Sequence, residues 1–158
     1  MMSAVGDDLS RNNSFVTLFH AHLDHASGRL TVVDAGHGLA LVVRRDGRRE
    51  VIQSANLPLG LSSLSPDAGA HQEWTTQALT LEVGDQLLVF SDGVLDLFDG
   101  SLASLGLAVD VALLPGPAPS SPQHAVDQIR LLAEQTDQED DVTIVTAGRV
   151  SVHAPTRS

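Results

Sequence analysis

Four consecutive apolar residues, Leu87-Leu88-Val89-Phe90, lie between two turn signals, Gly84-Asp85 before them and Ser91-Asp92-Gly93 after. A short apolar run bracketed in this way reads as a buried strand, and the other elements have to fit around it. An acidic residue where a buried strand opens into a glycine turn suits a hard cation, which takes carboxylate oxygens held on a rigid support. Asp-Gly is equally an ordinary turn dipeptide, in which the aspartate only caps the next segment. These residues alone leave both readings open. A second acidic site lies far along the chain, at Gln138-Glu139-Asp140-Asp141, directly ahead of Val142-Thr143-Ile144-Val145.

The sequence before that strand is punctuated every few residues. Residues 1–11 read as a short helix weakened by Gly6, and Asn12-Asn13-Ser14 as a loop. From Phe15 the pattern alternates, with Phe15, Thr17, Phe19, Ala21 and Leu23 on one face and Val16, Leu18, His20, His22 and Asp24 on the other. Strands are predicted at Arg29–Asp34, Leu39–Arg44 and Glu50–Gln53, so that residues 15–53 form a four-stranded antiparallel meander. Trp74–Leu81 and Gln86–Ser91 read as the fifth and sixth strands, and Gly93–Phe98 as a helical turn. Leu102–Leu114 is apolar without a clear period, and Pro115–Ser120 is a loop. Ser121-Pro122 supplies a cap and a first-turn proline for a helix ending near Gln135, with Val126, Ile129, Leu132 and Ala133 along one face. Val142–Ala147 is the last strand, and residues 151–158 read as a disordered tail. The sum is an α+β fold.

Composition removes several function classes. The 158 residues are enough for one domain with a real core. No apolar run approaches the roughly 18 residues of a membrane helix, and the N-terminus lacks the pattern of a signal peptide; a cytoplasmic location is the default. There is no cysteine, hence no disulfide and no thiolate metal site. Net charge is −11, and all nine basic residues are arginine. Such a chain, with aromatics only at Phe15, Phe19, Trp74, Phe90 and Phe98, is a poor nucleic-acid binder. Arg44, Arg45, Arg48 and Arg49 flank Asp46-Gly47 and read as a hairpin with a solvated charged tip.

Five stretches, in order, resemble the C-terminal part of the bacterial stage II sporulation E-like branch of the metal-dependent (type 2C) protein phosphatases. They are Phe15-Val16-Thr17-Leu18-Phe19, Asp34-Ala35-Gly36-His37, Leu57-Pro58-Leu59-Gly60, Ser91-Asp92-Gly93-Val94 and Asp140-Asp141-Val142-Thr143. The resemblance covers residues 1 to about 150 and implies a single phosphatase-like domain: a sandwich of two antiparallel sheets flanked by helices, with carboxylates at one end holding two Mn²⁺ or Mg²⁺ ions. It implies that Asp92 and Asp140 are metal ligands, that Asp141 has a supporting role, and that Gly93 permits the tight turn beside the ion. Gly36 and His37 match a structural turn. The implied substrate is a phosphorylated regulatory protein, of the kind that antagonises anti-sigma factors.

The sequence departs from the family in one respect. The family's bridging aspartate sits in a Gly-Asp-aromatic-x-Asp type motif well upstream of the Phe15 strand, and this chain has none; Gly6-Asp7-Asp8 lies too close to Phe15 to take that role. The expected domain therefore lacks its first strands and helices, with half a metal site and with exposed sheet edges that favour a homo-oligomer or a partner. The alternative function is a catalytically inactive interaction module. His20 and His22 share a strand face and form a third, metal-binding alternative. Ser62, Ser63 and Ser91 have no Gly-x-Ser-x-Gly context, so a serine hydrolase is not supported.

Overall fold

A computed structural model of the chain describes residues 8–9, 11–12, 14–61, 74–98, 101–112, 121–136 and 140–150. The expectations for Gly6, Asp7, Ser62, Ser63, the 115–120 loop and the 151–158 tail lie outside these residues. The described elements fall into two compact units, Met1–Gly38 with Ile52–Thr80, and Leu39–Val51 with Leu81–Ser158.

The first unit holds a three-stranded antiparallel sheet of β1 (Leu18–Leu23), β2 (Arg29–Ala35) and β5 (Gln77–Thr80), in the order β1-β2-β5. β1 and β2 form a hairpin in register from Leu18↔Ala35 to Leu23↔Leu30. Its turn is closed by Asp24, whose carboxylate accepts from the Ala26 N–H and the Ser27 hydroxyl, both at 2.9 Å. Strand alternation sorts β2 as far as Asp34, and Ala35 at its end is buried as well. Leu30, Val32 and Asp34 are buried on one face, while Thr31 and Val33 on the other are half-buried. β1 begins at Leu18 rather than Phe15; Val16 makes an isolated antiparallel bridge to Leu59 instead, with N–H···O distances of 2.9 and 2.8 Å.

The second unit holds a four-stranded antiparallel sheet of β3 (Ala40–Val43), β4 (Arg49–Val51), β6 (Gln86–Phe90) and β7 (Ile144–Gly148), in the order β4-β3-β6-β7. Three helices belong to it: α1 (Gly93–Asp96), α2 (Leu102–Ala112) and α3 (Pro122–Gln135). Leu41, Val43, Leu88 and Phe90 of the sheet form one buried cluster with Val94, Leu97, Leu105, Val109, Ala125 and Ile129. Each of these valine, leucine, isoleucine and phenylalanine side chains contributes about 1.5–3 kcal/mol when removed from water. Ser121 caps α3 by accepting from the His124 N–H at 3.2 Å, and Pro122 occupies the first turn.

The two antiparallel sheets agree with the α+β expectation, but the predicted meander is wrong. β1-β2 and β3-β4 are separate hairpins in different sheets, because β2 takes β5 as its next neighbour and β3 takes β6. The break falls at Gly36 and Gly38, both at positive φ (74° and 70°), where the chain leaves β2. A second difference is α2, which forms where the sequence showed only an unpatterned apolar run. Among the described residues no helix is long and apolar enough to cross a membrane.

Candidate metal centre

β6 is flanked by β3 and β7, and its last residue, Phe90, is buried at 1% exposure. Two residues further on, Asp92 is exposed. Between them Ser91 extends the β6–β7 ladder, its N–H donating to the Thr143 carbonyl at 2.9 Å. The Ser91 hydroxyl works in both directions. It accepts from the Thr143 N–H at 2.8 Å and donates to the Asp141 carbonyl at 3.1 Å. Gly93 closes the arrangement, since a Cβ on it would lie 2.9 Å from the Asp141 carbonyl carbon and 3.3 Å from the Asp140 carbonyl oxygen. Only a residue without a side chain allows α1 to start this close to the 140–141 backbone.

The structure thus brings Ser91-Asp92-Gly93 and Asp140-Asp141, separated by some fifty residues of sequence, to one end of the second unit. The Asp92, Asp140 and Asp141 side chains are all exposed. Asp92 Oδ1 accepts from the Gly93 N–H at 3.2 Å at the start of α1, so the capping role read from Asp-Gly is present. Asp140 Oδ1 accepts from the Asp141 N–H at 2.8 Å. The donor set is carboxylate and carbonyl oxygen, which suits Mg²⁺ or Mn²⁺ in kind. In number it is short: among the described residues no group of three His, Cys, Asp or Glu side chains gathers to hold an ion. An open groove of about 340 Å³ runs beside the loop, between Val126, Ile129 and Ala133 of α3 and Val142 and Ile144.

Other sequence candidates lie elsewhere. His20 and His22 are exposed on β1 opposite Val33 and Thr31. Asp8 is exposed and pairs with Arg11 at 3.4 Å. Gly36 and His37 do form a turn. The fully buried Asp34 carboxylate holds it, accepting from the N–H groups of His37 (2.8 Å) and Gly38 (3.0 Å), and a Cβ on Gly36 would collide with Pro58. Arg44 departs from the solvated-tip expectation: it is only 20% exposed and pairs with buried Asp85 at 2.8 Å. Asp85 also accepts from the N–H groups of Arg45 and Glu82, each at 2.9 Å. Burial alone pushes the Asp85 carboxyl up, but Arg44 and the two N–H donors outweigh it and hold it below the ordinary value of 3.8. Neither Asp85 nor the Ser91 bridge was singled out from sequence. For Ser91 the available signal was a hydroxyl at a strand end immediately before Asp-Gly.

Residues 2–150 match the family described as Stage II sporulation protein E (SpoIIE). The chain belongs to the SpoIIE family. Solved structures give this SpoIIE-family chain its fold. It is 26% identical to the RsbU and RsbW domains of Rv1364c from Mycobacterium tuberculosis, with a TM-score of 0.66 over 85% of this chain and 37% of that one. Against the Mn-presoaked phosphatase domain of the cell fate determinant SpoIIE from Bacillus subtilis, identity is 21% and the TM-score 0.59, over 98% of this chain and 66% of that one. The catalytic domain of the serine threonine protein phosphatase PstP, in complex with two manganese ions, gives 20% and 0.61, over 95% and 67%. The two-sheet architecture is that of the type 2C phosphatases, and the chain spans from 37% to 66% of the length of the first two. A comparison with curated protein sequences finds no match.

Proposed function

We propose that this SpoIIE-family chain serves, within residues 1–150 acting as one domain, as a metal-dependent protein serine/threonine phosphatase. Its substrate would be a phosphorylated regulatory protein of the anti-sigma-antagonist kind. The observation that carries this reading is the close approach of the Ser91-Asp92-Gly93 turn to the 140–143 backbone, through the Ser91 hydroxyl and with Gly93 pressed on the 140–141 backbone. Asp92 and Asp140 would hold Mn²⁺ or Mg²⁺, and Asp141 would support them. A divalent ion bound there supplies positive charge to phosphoryl oxygens and activates bound water. The chain's own task is to offer exposed carboxylates on a rigid strand end. Its net charge of −11 gives phosphate no attraction of its own.

A second reading, an interaction module without catalysis, is favoured by the donor count, since among the described residues no three His, Cys, Asp or Glu side chains gather to hold an ion. Mn²⁺-dependent hydrolysis of an aryl phosphate by this chain, beside Asp92→Asn, separates the two. Activity that falls at least 100-fold in the variant, as loss of a metal ligand would cause, supports the phosphatase (about 2.7 kcal/mol). A folded wild-type chain with no activity moves the assignment to the interaction module.

A further inference from the structure

Ser91 lies between the two carboxylate-bearing segments and bonds to the far one in three ways. Its N–H continues the strand ladder, which any residue could do. Its hydroxyl adds two bonds that depend on the side chain, one received from the Thr143 N–H at 2.8 Å and one given to the Asp141 carbonyl at 3.1 Å. The second is made to the peptide that follows Asp141, one residue beyond Asp140, and its acceptor is the same carbonyl that Gly93 packs against. With Phe90 buried on one side and the exposed Asp92 on the other, Ser91 passes the rigidity of the core to the segment that carries the exposed Asp140.

Resting on the metal reading above, we infer that Ser91 is a positioning residue for that centre: its hydroxyl fixes the 140–143 loop so that Asp140 and Asp92 address the same ion. The Ser91 oxygen is occupied by protein partners on both its donor and its acceptor side, which suits this task better than direct contact with substrate. Residues that orient the ligands of a metal usually govern its affinity by about 10- to 100-fold.

The test uses the full chain and Mn²⁺ alone, with binding followed by electron paramagnetic resonance and Thr143 amide exchange followed by NMR. Ser91→Ala is expected to weaken Mn²⁺ at least about tenfold and to speed exchange at Thr143, while Ser91→Thr, which keeps the hydroxyl, stays close to wild type. If Ser91→Ala unfolds, Ser91→Cys, a near-isostere with a weaker donor and acceptor, is held to the same criteria. Unchanged Mn²⁺ affinity in the hydroxyl-free variant, or a threonine variant as weak as alanine, overturns the positioning role. Wild-type protein that binds no Mn²⁺, or binds it equally well after Asp92→Asn, overturns the metal reading itself and this role with it.

Discussion

Asp85 brings together three donors around a carboxylate that is only 3% exposed. Because its pKa in the folded protein is depressed, it contributes stability that is fully present above the unfolded carboxylate value and is lost as pH falls through the folded one. Asp85→Asn should cost about 2 kcal/mol near neutral pH, measured by urea unfolding, and the gap to wild type should close in acid below about pH 4. A gap that stays constant with pH would show that Asp85 acts through shape rather than charge. The Gly84-Asp85 turn was readable, since turn chemistry is local. The pairing with Arg44 was not, because that partner stands 41 residues away and resembled the other arginines of its hairpin. Asp92 is the converse case: the residue and its turn could be read, and its approach to the 140–141 segment rests on Ser91, whose one signal in sequence is a hydroxyl at a strand end before Asp-Gly.

α3 was legible because three independent signals agreed, namely the Ser121 cap, the first-turn Pro122 and the spacing that placed Ile129 in the core. Ser121→Ala should therefore destabilise the protein by about 1 kcal/mol, seen as a lower urea midpoint with an unchanged slope. A change below a few tenths would mean that proline and packing alone hold the helix start. α2 was illegible for the opposite reason. Apolar residues occur all along Leu102–Ala112, so no polar face sets a period. The strands of residues 15–53 were found with shifted ends, but their partners were misassigned, since adjacency in sequence favours a meander and the actual neighbours β5 and β6 lie beyond it.

Over the whole molecule, α+β class and family membership could be read because motifs and strand order survive in a single sequence, whereas donor geometry does not. Sheet ends are the feature with the widest consequence. β1 and β5 border one sheet and β4 and β7 the other, and Val145 on β7 is 59% exposed. The chain has no lysine, a common guard of such borders. Self-association in sedimentation velocity should therefore rise with concentration, and Val145→Arg should weaken it about tenfold, equivalent to about 1.4 kcal/mol. A wild-type protein that stays monomeric throughout would leave these borders without that role. β6 is the opposite of a border: its backbone is bonded on both sides, and its Leu88 and Phe90 side chains are in the core. Amides so placed exchange only when the protein opens globally, whereas frayed ends exchange readily. Asp92 hangs two residues from that strand, so its place in space should persist through local openings and fail only when the second unit itself melts.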